Sequence, residues 1–174
     1  MRAVRKRLGD QVPVPEVFGW RIRHDRVFIY MELISGTTLQ KCWNDLNLSE
    51  KDSLCEQLSQ ILSSLRQLKQ RNEFIGSITG GPLLDRVFYD RPKTGPFNSL
   101  DHFFNFLEWL PQRFLSASQR YKDPYLELLR PDQDYPTSIK FTHADVHPTN
   151  IMVSAAVDLG PPRILALIDW GQAG

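Results

Sequence analysis

The chain has 174 residues, with 21 basic and 20 acidic side chains, a net charge of +1 and 41% hydrophobic residues. That balance leaves no electrostatic footprint for nucleic acid or a charged membrane surface, and no apolar run approaches the length that crosses a bilayer. The length suits one domain that buries roughly 70% of its unfolded surface. The only cysteines, Cys42 and Cys55, come without a secretory signal and predict reduced thiols in a cytoplasmic protein.

In chain order, the basic opening Met1–Arg7 is cut short by Gly9 and Asp10 and is expected to be a solvated helix end. Val27–Met31 is an apolar strand that runs on to a turn at Ser35-Gly36. Leu54, Leu58, Ile61, Leu62, Leu65 and Leu68 recur at helical spacing, and Ser49 with Asp52 gives an N-terminal capping signal. This helix is expected to bury its stripe beneath the loop around Asp145. The glycine-dense segment Gly76–Pro82 lacks the Gly-Lys-Ser/Thr ending of a phosphate loop, so a turn between two short strands is expected. Leu100, Phe103, Phe104, Leu107 and Leu110 form a second stripe, read as core, that Pro111 should end or kink.

The chemistry is concentrated near the C-terminus. Ile151–Val153 and Arg163–Ile168 are β-branched apolar runs separated by a segment containing Gly160-Pro161-Pro162, and they predict a hairpin. Its outer ends return to one edge, so Asn150 and Asp169 can converge on one ion, and their hard oxygen donors suit Mg²⁺. Asp145 precedes the hairpin, five positions before Asn150. A carboxylate accepting a hydroxyl proton, an Asn five residues on and a second Asp are what phosphoryl transfer by kinases requires. His143 and His147 are expected to shape the loop, His147 because it precedes Pro148. A remoter reading remains open: His143, Asp145 and His147 alternate and could hold a transition metal in a hydrolase. It gives no role to Asn150 or Asp169.

Phe141–Ile151, with its His-x-Asp-x-x-x-x-Asn pattern, and Ile168-Asp169-Trp170 resemble the aminoglycoside phosphotransferase and choline kinase-like family, which has the protein-kinase-like fold. Val27–Leu39 is similar to that family's hinge strand and the turn after it. The resemblance implies that adenine is held by the carbonyl of Glu32 and the amide of Ile34 with Met31 behind the base. It further implies ATP and Mg²⁺ as cofactors, a small-molecule acceptor and γ-phosphate transfer to its hydroxyl. Met1–Leu8 looks like the tail of the N-lobe helix, and Val12–Val17 like the link into the next strand. The expected architecture is α+β: residues 1–34 as a remnant of the N-lobe sheet and hinge, and 35–174 as a partial, mostly helical C-lobe carrying the catalytic hairpin.

Against that family pattern, the thirty residues before Met31 contain neither a Gly-rich loop nor a strand Lys paired with a helix Glu. The chain is accordingly expected to be a central block of a larger domain, truncated at both ends and a poor enzyme by itself. A member of the fold that has lost catalysis is the alternative reading. Acceptor identity and oligomeric state are not encoded in these motifs.

Overall fold

The computed structural model describes residues 1–69, 74–88, 94–121, 130, 138–154 and 160–174. Contacts divide the chain into two units, Met1–Lys69 with Phe141–Ala173, and Gln70–Lys140 with Gly174. The described elements are helices with small antiparallel sheets, an α+β composition as expected.

The first unit opens with helix α1 (Arg2–Leu8), too short to be stable alone. Packing holds it, because Val4 is fully buried with Val12 and Val14 while the basic side chains stay outside. Strands β1 (Val17–Arg23) and β2 (Arg26–Met31) form an antiparallel ribbon. They are joined at His24 and Asp25, whose φ of 47° and 58° match a two-residue hairpin turn that twists with the strands. Register sorts the ribbon into two faces. Trp20 pairs Ile29 and Ile22 pairs Val27 on one; Arg21 pairs Phe28 on the other, and its guanidinium lies over the Phe28 and Tyr30 rings.

The second sheet carries the site. Strand β3 (Thr37–Thr38) pairs with β4 (Ile151–Val153), which pairs with β5 (Ile164–Leu167), giving the predicted hairpin an extra strand that two threonines alone did not signal. Gly36 lies so close to the Val153 carbonyl that no Cβ fits there. The Leu167 amide donates to the Pro13 carbonyl at 2.9 Å, tying the segment before β1 to the hairpin. Ile151, Val153, Ala166 and Leu167 are buried, and with Val4, Leu54 and Leu65 they make the core.

Helix α2 (Leu39–Cys42) packs on the turn Pro148–Asn150. Helix α3 (Leu48–Arg66) buries Leu54, Ile61 and Leu65, the expected stripe, and meets the hairpin at β5. Its cap differs from expectation. Asn47 accepts from the Glu50 amide at 3.0 Å while the Glu50 carboxylate accepts from the Asn47 amide at 2.8 Å. Glu reaches back across a turn more readily than the shorter Asp, so Asn47/Glu50 and not Ser49/Asp52 forms the reciprocal box. Gln57, a polar residue within the stripe, accepts from the Ile164 amide at 3.0 Å and donates to the Pro162 carbonyl at 3.2 Å.

In the second unit, helix α4 (Leu100–Gln112) is capped by Ser99, whose hydroxyl accepts from the His102 amide at 3.2 Å. Pro111 sits in its last turn, one residue before the end, as expected. Phe97, Phe103 and Phe106 form an aromatic cluster with ring centroids 5.3–5.5 Å apart about Phe97. Phe106, absent from the predicted stripe, is central to it. Gly76–Pro82 is a turn, with Gly80 at φ 78° and the Gly81 amide bound to the Ser77 hydroxyl at 3.1 Å. Among the described residues no full strand flanks it, and Ile75 makes an isolated bridge to Phe97. Among the described residues no helix is long and apolar enough to cross a membrane, and Cys42 and Cys55 are free thiols.

Candidate phosphoryl-transfer site

The loop from His143 to Asn150 is organised from within. His143 is only 1% exposed, and its Nε2 pairs with the Ile168 carbonyl at 3.0 Å. Its Nδ1 accepts from the Asp145 amide at 3.3 Å, so Nε2 carries the proton of a neutral ring. Burial pushes the His143 pKa below its ordinary value; the hydrogen bond to Ile168 and the charges of Asp145 and Asp169 oppose that shift without overcoming it. The ring packs on Trp170 at 4.4 Å between centroids, and the Trp170 indole donates to the Leu167 carbonyl at 2.7 Å. His143 therefore bridges the loop to the end of β5.

His147 shapes the other end of the loop. Its Nδ1 lies 2.8 Å from the Thr149 hydroxyl and accepts from the Thr149 amide at 3.3 Å, which caps the turn opened by Pro148. The Asn150 amide closes that turn on the His147 carbonyl at 2.8 Å. Asn150 then reaches back: its Nδ2 donates to the Asp145 carboxylate at 3.0 Å and to the Asp145 carbonyl at 3.1 Å. Its Oδ1 takes only a 3.3 Å bond from the Thr149 hydroxyl. Two ladder neighbours complete the edge, since the Ile168 amide donates to the Asn150 carbonyl at 2.9 Å. Asp169 follows with φ 59°, a left-handed conformation that Asp tolerates better than most residues, and its side chain is exposed.

Asp145 and Asn150 are thus in contact, and Asp169 lies just past β5, which pairs with the strand that follows Asn150. The Asn150 amide oxygen and the Asp169 carboxylate are hard donors of the kind Mg²⁺ takes alongside phosphate oxygens. Asp169 also borders a cavity of about 440 Å³ walled by Val17, Trp20, Val27, Ile29 and Met31 from the ribbon. Glu32 and Ile34 fall elsewhere, on a second cavity of about 440 Å³ shared with Arg5, Asp10, Val14 and Leu165. Among the described residues neither the Glu32 carbonyl nor the Ile34 amide has a hydrogen-bond partner.

The alternating His143, Asp145 and His147 do not make a transition-metal site. Both ring nitrogens of His143 are engaged by backbone groups, and among the described residues no cluster of three His, Cys, Asp or Glu could hold a metal ion. Trp170 and Gln57 support the site without having been singled out for that role. The signals were present, an aromatic residue directly after Asp169 and a polar residue inside a leucine stripe, but both need a partner far along the chain to acquire meaning.

A family model described as the phosphotransferase enzyme family matches residues 1–174. The chain belongs to that family, in agreement with the resemblance carried by the Asp145 loop and Ile168-Asp169-Trp170. No individual curated protein matches it.

Proposed function

We propose that this chain carries the catalytic residues for transfer of the γ-phosphate of ATP to a hydroxyl of a small-molecule acceptor. Asp145 orients that hydroxyl and accepts its proton as the oxygen attacks the γ-phosphorus, the bond to the β–γ bridging oxygen breaks and ADP leaves. Asn150 holds the Asp145 carboxylate through Nδ2 and, with Asp169, would hold Mg²⁺. When bound, the ion supplies positive charge against the phosphate oxygens, where most of the catalysis in such reactions resides. The Glu32 carbonyl and the Ile34 amide are offered to the adenine edge.

The observation that carries this reading is the Asn150 to Asp145 bond of 3.0 Å beside the ladder that leads to Asp169. A geometry in which the base is oriented by the same side chain that offers an oxygen donor is what in-line transfer to a hydroxyl needs. The test is calorimetric titration of ATP with and without Mg²⁺, followed by a screen for ADP release across aminoglycosides, amino alcohols and sugars. Weak metal-dependent ATP binding with slow turnover on one acceptor class is expected, because the thirty residues before Met31 supply neither a Gly-rich loop nor a paired strand Lys. Absence of metal-dependent nucleotide binding would reject the reading, and binding without turnover on any acceptor would favour a member of the fold that has lost catalysis.

A further inference from the structure

We propose that Arg5, on helix α1, is a positioning residue for the nucleobase, clasping the open end of the β1–β2 ribbon so that the Glu32–Ile34 segment is held in one place. This rests on the proposed function, in which that segment meets adenine.

One guanidinium serves three residues on two chain segments. Its Nη1 donates to the Val14 carbonyl at 2.7 Å and lies 3.6 Å from the Glu32 carboxylate, while Nη2 lies 3.5 Å from the Glu16 carboxylate. Glu16 and Glu32 are bound to each other as well: the Glu32 amide donates to the Glu16 carbonyl at 2.8 Å, and the Glu16 amide donates to the Glu32 carboxylate at 3.0 Å. Glu32 is therefore gripped through both backbone and side chain. Beyond it Leu33 is 89% exposed, so the side chain that follows makes no anchoring contact. The clasp itself has a firm base, because Val4 beside Arg5 is fully buried in the core.

The magnitudes favour a positioning role over a stabilising one. All three charged side chains are about half exposed, where ion pairs contribute little to stability. The short charge-assisted bond to Val14 is the strong member and fixes the direction of the fork. A planar guanidinium presents its donors in a rigid fork spread over separate nitrogens, whereas an ammonium carries three rotatable donors on one point charge. What such a clasp controls is the placement of two backbone groups that share no element with Asn150 and Asp169. Arg5 should consequently affect recognition of the base and leave recognition of phosphate and metal alone.

The experiment compares dissociation constants of Mg-ATP, Mg-GTP and Mg-tripolyphosphate for the 174-residue chain and its Arg5→Met, Arg5→Lys and Glu16→Gln variants. Arg5→Met should weaken ATP by about five-fold, the scale of one lost local contact, with GTP and tripolyphosphate unchanged. Arg5→Lys should fall between, and Glu16→Gln should shift ATP in the same direction by less. If Arg5→Met does not fold, the Glu16→Gln comparison carries the same decision. An unaltered preference for ATP over GTP in the variants, or equal weakening of all three ligands, would overturn the clasp while leaving the proposed function standing. A wild-type chain that binds Mg-tripolyphosphate yet shows no preference for ATP over GTP would instead reject adenine recognition by the Glu32–Ile34 segment, and the clasp with it.

Discussion

The Asn150 side-chain amide donates to the carboxylate and to the main-chain carbonyl of Asp145, at 3.0 and 3.1 Å. One side chain thereby fixes both the loop at Asp145 and the direction of its carboxylate. Because Nδ2 is committed to Asp145, Oδ1 is the end that would meet an ion under the proposed function, which would couple the orientation of the Asp145 carboxylate to the metal.

With an acceptor that supports turnover, Asp145→Asn is expected to lower kcat by about two to four orders of magnitude, the range of a positioned general base, with the dissociation constant for ATP little changed. Steady-state kinetics and calorimetry separate the two effects. Turnover retained after the substitution would take Asp145 out of the proton-accepting role.

Divalent-metal binding should depend on nucleotide and favour Mg²⁺ or Mn²⁺, since two protein oxygens leave most of the shell to phosphate and water. Asp169→Asn should abolish the metal dependence of ATP binding without loss of fold, because Asn also adopts the left-handed conformation found at φ 59°. Asp169→Val should cost about 1–2 kcal/mol of stability from the backbone alone. Zinc binding without nucleotide, lost on His143→Ala, would contradict the assignment.

Burial holds His143 below its ordinary pKa of 6.5, so in acid the unfolded chain takes up a proton that the folded chain refuses. Stability from this residue is complete above the unfolded value, falls as pH drops through it, and stops falling below the folded value. His143→Gln, which can still donate to the Ile168 carbonyl, should flatten the dependence on pH beneath 6.5. Denaturant midpoints of the two proteins across that range make the comparison, and parallel curves would exclude His143 as the source.

Gln57→Ala should destabilise the fold by about 1–3 kcal/mol, because it strands the Ile164 amide and the Pro162 carbonyl near the core. Urea unfolding provides the measurement. A change of a few tenths would mean that water replaces both bonds.

The hairpin and the offsets among Asp145, Asn150 and Asp169 were legible in the sequence because they depend on local periodicity and covalent spacing. A β-branched run, a Gly-Pro-Pro break and a second run leave little choice but to fold back, which sets Ile168 beside Asn150. The leucine stripe of α3 and the stop at Pro111 were legible for the same reason. The start of α3 was less so, since Asn47 and Ser49 offer the same capping chemistry two positions apart and the reach of Glu50 decides between them.

Tertiary structure alone decided the rest. Thr37–Thr38 becomes a strand only when β4 lies beside it, and Arg5 becomes a clasp only when Val14, Glu16 and Glu32 converge. Gln57 bridges residues more than a hundred positions away. That Met31 shares a cavity with Asp169 while Glu32 and Ile34 border another follows from the course of the chain after β2, for which no local period exists. Residue type and spacing specify what a segment can do nearby. Which distant groups it meets is set by the packing of whole elements against one another, and no single segment carries that information.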